Sequence, residues 1–350
     1  MSENNSQATE TSAAAEQVSE HLVEVHDLKT YFHTAAGVAK AVDGVSFTLD
    51  RGKTLAIVGE SGSGKSVTSS SLMHLLPKTG KIEGGSVMFD GKDIVHASEA
   101  ELRELRGKDI SMIFQDPMTA LDPVFKVGTQ MIENIRLHDG LDKEAARKRA
   151  IEMLKLVSIP NPEKRMDSYP YELSGGMCQR VMIAMAMSCH PKFIIADEPT
   201  TALDVTVQAQ VLSLLKGLQD TLNTGILLIT HNLGIVWQMA DDVMVMYAGR
   251  TCEYAPMEEL YANPLHPYTW GLLDSMPKLS DKAKTDLKTI PGVPPDLRLT
   301  GTCCNFYNRC PYACEKCKNE VPPLVEVKPG HFVACHRQNG EESLVRGEAN

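Results

Sequence analysis

The sequence predicts an α/β protein built on a parallel sheet, followed by a loop-rich, cysteine-containing C-terminal extension. Three observations carry this. Short, wholly apolar runs (Thr54–Val58, Phe193–Ala196, Ile226–Ile229) read as strands buried on both faces. Longer stretches with helical spacing separate them, an alternation that gives parallel sheets covered by helices. Beyond Gly249 prolines become frequent (Pro256, Pro264, Pro267, Pro277, Pro291, Pro294, Pro295) and six cysteines fall between Cys303 and Cys335.

Residues 1–20 are Ser, Ala, Glu and Gln with no apolar core, and are expected to form a disordered tail rather than a secretory signal. From His21 the pattern is β-like: Leu22, Val23 and Val25, then Val38 to Val42, then the alternation Val45-Ser46-Phe47-Thr48-Leu49. Thr54–Val58 leads into a glycine-rich loop and a helix over Ser66–Leu76. Glu101–Arg106 predicts a short helix and Ile110–Phe114 a strand. Lys143–Val157 and Gly175–Ser188 predict helices, Phe193–Ala196 a strand, Val207–Leu222 a helix, Ile226–Ile229 a strand and Leu233–Met239 a helix. The expected divisions are a tail over 1–20, a main domain over 21–250 and an extension over 251–350.

The 350 residues, 43% hydrophobic, suffice for a large core. The net charge of −10 argues against nucleic acid as a partner, since that surface needs clustered Lys and Arg. No stretch has the roughly 18 apolar residues that span a bilayer, so a cytoplasmic protein that reaches membranes through partners is expected.

Gly59-Glu60-Ser61-Gly62-Ser63-Gly64-Lys65-Ser66 fits G-x-x-x-x-G-K-[ST] in full. Its glycines let backbone N–H groups surround phosphate oxygens, and the helix that follows aims its positive end at the same anion. Lys65 then reaches the β- and γ-phosphates and Ser66 ligates Mg²⁺. Phe193–Glu198 is an apolar strand ending in two carboxylates; Asp197 is placed for Mg²⁺ and Glu198 to polarise the attacking water. Leu173-Ser174-Gly175-Gly176-Met177 is a second anion-binding helix start, with Ser174 as cap. Either segment alone has a plain structural reading; their order after a phosphate loop is what gives them weight.

With these motifs in order the chain resembles the ABC ATPase family over roughly residues 22–250. The set comprises Gly59–Ser66, Gln115 in Phe114-Gln115-Asp116-Pro117, Ser174-Gly175-Gly176, Phe193–Glu198, Ala202-Leu203-Asp204, and His231 in Thr230-His231-Asn232. The resemblance implies a RecA-like P-loop core with an antiparallel β subdomain and a helical subdomain at about 116–190. It implies a head-to-tail dimer in which one subunit's loop binds ATP and its neighbour's Ser174, Gly175 and Gly176 cap it. Lys65 and Ser66 act in cis, His231 holds the γ-phosphate and positions Glu198, and Gln115 touches Mg²⁺ or water. Asp204, in the D-loop, is counted with the nucleotide-binding residues. Adenine stacks on Phe32, with Tyr31 the alternative. Met177 stands where many relatives carry Gln, beside a contact made mainly by Ser174 and glycine backbone.

Within that family the Ser111–Pro123 and Glu198–Gln208 segments, Leu265-His266-Pro267-Tyr268-Thr269 and Ile290–Pro295 resemble peptide-importer ATPases, and Arg180–Ala186 the oligopeptide type. This implies an ATP-hydrolysing subunit at the cytoplasmic face of the plasma membrane. It would work with two permease subunits, a second ATPase and an extracellular solute-binding protein. The stretch from Gln115 to about Ser168 would grip the permeases. Dipeptide, glutathione or nickel import stays open, as does a soluble ABC ATPase without a transport role. Cys304, Cys310, Cys317 and Cys335, spaced C-x5-C-x6-C-x17-C, match the pattern in which such subunits hold a [4Fe–4S] cluster. All-thiolate ligation suits zinc equally, and Cys303 and Cys314 are extra to the pattern.

Overall fold

The computed structural model describes residues 21–201, 203–276, 289–338 and 344–346. The expected tail over 1–20 and Ala202 lie outside the described residues.

The first layer is an antiparallel sheet in the order β2-β1-β4-β5, formed by β1 (Val23–Thr34), β2 (Gly37–Leu49), β4 (Gly80–Phe89) and β5 (Lys92–Asp93). Its apolar side, including Val25, Leu28, Val45, Phe47, Val87 and Phe89, is buried. The second layer is an eight-stranded sheet in the order β11-β12-β10-β9-β3-β8-β7-β6. Its parallel part is β3 (Thr54–Val58), β6 (Ile110–Ile113), β7 (Phe193–Asp197), β8 (Gly225–Ile229) and β9 (Asp242–Tyr247). All five residues of β3, β7 and β8 are buried, which is why these strands read as unbroken apolar runs.

Alternation along β3 divides the core. Leu55 and Ile57 pack with Phe89, Val45 and Met244 toward the antiparallel sheet, while Ala56 and Val58 pack with Val236, Tyr247, Tyr268 and Phe306 on the other face. The C-terminal part therefore lies directly behind the strand that feeds the glycine-rich loop.

Helices α1 (Lys65–Leu72), α2 (Glu99–Leu105) and α3 (Pro117–Ala120) precede a helical cluster. That cluster is α4 (Val127–Asp139), α5 (Lys143–Leu156), α6 (Pro162–Arg165) and α7 (Gly175–Met187). Its starts are chemically marked: Ser98 and Glu101 form a reciprocal cap on α2, Asp142 caps α5 and Ser174 caps α7. The buried sides of α4, α5 and α7 share one core with Ile113, Ile194, Ala196, Ile226 and Leu228 of the main sheet. Helices α8 (Val205–Leu222) and α9 (Leu233–Met239) follow β7 and β8 and are capped by Asp204 and Asn232.

The C-terminal part is more regular than its prolines suggest. Strand β10 (Arg250–Pro256) is antiparallel to β9, so the sheet runs on through the point where composition shifts. Strands β11 (Val325–Lys328) and β12 (His331–Val333) extend it, and α10 (Met257–Ala262), α11 (Pro267–Asp274) and α12 (Glu315–Asn319) complete the chain. Among the described residues no helix is long and apolar enough to cross a membrane.

Candidate nucleotide site

Strand β3 ends at Val58 and the chain turns through Gly59–Gly64 into α1. Three glycines make this turn at positive φ: Gly59 at 152°, Gly62 at 77° and Gly64 at 107°. At two of them space is also forbidding. A Cβ on Gly59 would lie 2.2 Å from the Met246 carbonyl oxygen, and one on Gly64 would lie 2.3 Å from that of Ala41. The loop is thus wedged between β9 and β2.

Lys65 opens α1 and folds back over the loop. Its Nζ donates to the carbonyls of Gly59 at 2.8 Å and Glu60 at 2.9 Å. The side chain is buried, and that burial lowers its pKa against the pull of Glu198, Asp197 and Glu60. The next residue, Ser66, donates from its hydroxyl to Asp197 Oδ1 at 3.2 Å, and Ser69 one turn on donates to Oδ2 at 3.4 Å. Burial pushes the Asp197 carboxyl up; the Ser66 hydrogen bond opposes this, and the nearby Glu198 charge adds to it.

Glu198 follows Asp197 with φ at 47°, a left-handed conformation that is costly for a non-glycine residue. Three side chains meet its carboxylate. Gln115 Nε2 donates to Oε2 at 3.0 Å, Thr201 Oγ1 donates to Oε2 at 2.9 Å, and His231 Nδ1 lies 3.0 Å from Oε1. Burial raises this carboxyl, but the hydrogen bonds from His231 and Thr201, with the His231 and Lys65 charges, outweigh it and hold it below its usual range.

These groups border one cleft of about 410 Å³, lined by Phe32, Ser61, Gly62, Gly64, Lys65, Ser66, Gln115, Glu198 and His231. Phe32 is at the cleft and Tyr31 is not: neighbouring residues of β1 face opposite ways, and the Tyr31 hydroxyl donates to Asp43 at 2.6 Å. Ser63 is buried within the loop. Thr201, Val67, Ala39, Ala41 and Leu297 also contribute but went unread in the sequence. Leu297 comes from the C-terminal part and carries no local signal; its carbonyl accepts from the Lys40 N–H of β2 at 3.1 Å.

Ser174, Gly175 and Gly176 do not line this cleft. The Ser174 hydroxyl accepts from the Met177 N–H at 3.3 Å, and a Cβ on Gly175 would meet nothing within 4 Å. Gln179, one turn along α7, donates to the Pro199 carbonyl at 2.6 Å and so ties this helix to the strand end that carries Glu198. Asp204 is exposed at the start of α8, accepting from the N–H groups of Thr206 and Val207.

The cysteines expected to hold a cluster are not assembled into a coordination shell. Among the described residues no group of three or more His, Cys, Asp or Glu side chains is arranged to hold a metal ion. They do share one region. The Cys304 N–H donates to the Cys317 carbonyl at 3.0 Å, and Cys314 Sγ lies 3.5 Å from Cys317 Sγ. Burial, reinforced by neighbouring thiols, pushes Cys304 and Cys310 up to about 12 and Cys335 to about 11.

A glycine-rich loop and capping helix, a lysine across the loop, and paired carboxylates at the end of β7, two strands along the sheet, define a P-loop nucleoside triphosphatase. The ABC transporter family profile matches residues 42–201, and the profile for the oligopeptide/dipeptide transporter C-terminal region matches 252–317. The oligopeptide transport ATP-binding protein OppD of Bacillus subtilis is 52% identical over 89% of this chain and 87% of its own length. OppD of Salmonella typhimurium is 50% identical, covering 94% and 97%. The dipeptide transport ATP-binding protein DppD of Lactococcus lactis is 49% identical, covering 89% and 90%. A solved dimeric structure of the ATP-binding cassette MJ0796, in a post-hydrolysis state bound to ADP and Pi, aligns with TM-score 0.62 and 26% identity, over 67% of this chain and 98% of that one. The chain belongs to the ABC transporter ATPases, in the branch formed by the ATP-binding subunits of oligopeptide and dipeptide transporters.

Proposed function

We propose that this chain hydrolyses ATP to power uptake of oligopeptides through partner permeases at the cytoplasmic face of the plasma membrane. The observation that carries the reading is the meeting of two half-sites on one cleft. Lys65 and Ser66, the latter bonded to the buried Asp197, line it together with Glu198, which Gln115 and His231 contact. The glycine loop and Lys65 would hold the phosphates. Ser66 and Asp197, with Gln115, would hold Mg²⁺, which keeps water and phosphate ligands alongside few protein groups. Glu198, kept ionised by its neighbours, would accept a proton from the attacking water while His231 fixes its orientation. Phe32 offers a ring to the adenine.

The Ser174–Gly176 helix start, exposed at Ser174 and Gly175, suits capping of a partner subunit's nucleotide, and the relative solved with ADP and Pi is itself a dimer. Asp204 would lie in that contact, and the second ATPase would be a homologous chain or another copy. The names of the relatives favour oligopeptides, with dipeptides as the second reading. The permeases would in turn receive solute from an external binding protein.

Cys304, Cys310, Cys317 and Cys335 would carry a [4Fe–4S] cluster, with zinc as the alternative occupant. What supports this is the sequence spacing and their common location, with the Cys304 N–H bonded to the Cys317 carbonyl, although they are not assembled into a coordination shell. Visible absorbance that dithionite bleaches supports iron–sulfur; a colourless protein with stoichiometric zinc overturns it.

The functional test is Glu198→Gln in the reconstituted transporter. Nucleotide binding should persist while hydrolysis and peptide uptake fall together by about 10²–10⁴-fold. Hydrolysis at the wild-type rate would overturn the reading.

A further inference from the structure

Glu60 occupies one of the four unspecified positions of the glycine-rich loop, yet all its polar groups are engaged. Its N–H donates to the Tyr268 hydroxyl at 2.7 Å. Its carboxylate receives both arms of Arg309, at 2.6 and 3.0 Å. Its carbonyl accepts from Lys65 Nζ at 2.9 Å. Two of these three partners come from the C-terminal part and the third is the phosphate-binding lysine. Glu60 is therefore the joint between them.

The partners are themselves held rigidly. Arg309 is 4% exposed at its side chain. Its Nε donates to the Pro291 carbonyl at 2.9 Å, Nη2 to the Ile290 carbonyl at 3.1 Å and Nη1 to the Tyr247 hydroxyl at 3.2 Å. Tyr268 is fully buried, its ring 4.7 Å from that of Tyr247 and 5.4 Å from that of Phe306. A two-armed pair between a buried guanidinium and a part-exposed carboxylate is an orienting device, because both bonds fail together if the loop shifts.

We propose that Arg309 and Tyr268 are positioning residues for nucleotide binding: through Glu60 they hold the Gly59–Ser66 loop and Lys65 in the phosphate-receiving geometry. The inference rests on reading that loop as the ATP cradle. It makes the C-terminal part a determinant of nucleotide affinity as well as of stability.

The test is a double-mutant cycle in the full-length chain, read as the Kd for Mg-ADP by calorimetry. The variants are Arg309→Lys, Glu60→Gln, their combination, and Lys65→Ala as reference. Arg309→Lys keeps the charge and loses the fork. Each single change should weaken binding about tenfold. The double variant should be no worse than the weaker single one, because both remove the same contact. The KM for ATP should rise in step with the Kd in Arg309→Lys and Glu60→Gln, since lost ground-state binding shows in KM. Tyr268→Phe removes one oxygen only and should raise the Kd in the same direction; it carries the test if Arg309→Lys does not fold. A scaffold role alone would lower the unfolding temperature and leave Kd unchanged. Unchanged Kd in Arg309→Lys and Tyr268→Phe, with binding abolished in Lys65→Ala, overturns the proposal and spares the cradle. Unchanged Kd in Lys65→Ala as well overturns both.

Discussion

The Ser66 hydroxyl donates to Asp197 Oδ1 across 3.2 Å, joining the first turn of α1 to the end of β7. Strand β8 lies between β3 and β7, so the loop after β3 and the tip of β7 converge above it. Ligands of α/β proteins gather at such strand ends. The carboxylate is buried and meets two hydroxyls, Ser66 and Ser69, with Lys65 close enough to influence its charge.

Asp197→Asn keeps the shape of this corner and removes its charge. Nucleotide binding should lose its dependence on Mg²⁺, and hydrolysis should fall by at least about 100-fold. Titrating Mg²⁺ against nucleotide affinity in wild type and variant checks the first, and steady-state turnover the second. A Mg²⁺ requirement identical to that of the wild type would exclude Asp197 from the metal's coordination.

Gly64→Ala should damage the loop without altering any chemical group. The new methyl would meet the Ala41 carbonyl at a backbone φ of 107°. Nucleotide affinity should drop by more than about tenfold, with part of the cost appearing as a lower unfolding temperature. Gly62→Ala meets no atom within 4 Å, although its φ is also positive. It should therefore be the milder change, and calorimetric titration of both variants makes the comparison.

His331 and Glu253 form a buried pair at 2.8 Å, and the carboxylate also accepts from the N–H groups of Leu265 and His266. This pair fastens β12 to β10 and to the start of α11. His331→Ala removes the buried hydrogen bond to Glu253 and should destabilise the C-terminal part by about 1–3 kcal/mol. Denaturant unfolding measures it. A loss under about 1 kcal/mol would mean that the backbone donors suffice for Glu253.

Stability should fall in mild acid through His266. Burial holds this ring's pKa down to about 4, against an ordinary value of 6.5. The unfolded chain takes up the proton near pH 6.5 and the folded chain does not, so acid favours unfolding. The stability conferred by the neutral ring is complete above pH 6.5 and is lost progressively down to about pH 4. The loss is at most about 3 kcal/mol. His266→Asn keeps an acceptor for the Tyr268 N–H and does not titrate. Its unfolding temperature should depend less on pH between 4 and 6.5 than that of the wild type, as thermal melts across that range would record.

Much of the site is written locally in the chain. Gly59–Ser66 carries its turn in its glycines and its anion preference in the helix that follows. Strand β7 is an apolar run whose last residue, Asp197, and its neighbour Glu198 project from the buried sheet. Ser174 and Asp204 announce their helices by capping them. Each signal lies within a few residues, because strand alternation, helix capping and tight turns are short-range effects.

Other features could be decided only by folding. Phe32 rather than Tyr31 borders the cleft because strand register and the bond to Asp43 turn the two rings apart. Strand β10 joins the main sheet although its sequence ends in Pro256, since backbone pairing with β9 supplies what composition does not reveal. Leu297, Tyr268 and Arg309 reach the site or its loop by tertiary packing alone. Arg309 stands 249 positions from Glu60, and no pattern in either neighbourhood points to the other. The sequence determined which groups could bind a nucleotide, because those groups are set by neighbouring residues. The tertiary structure decided what holds them in place, because burial and long-range hydrogen bonds exist only once distant segments have packed.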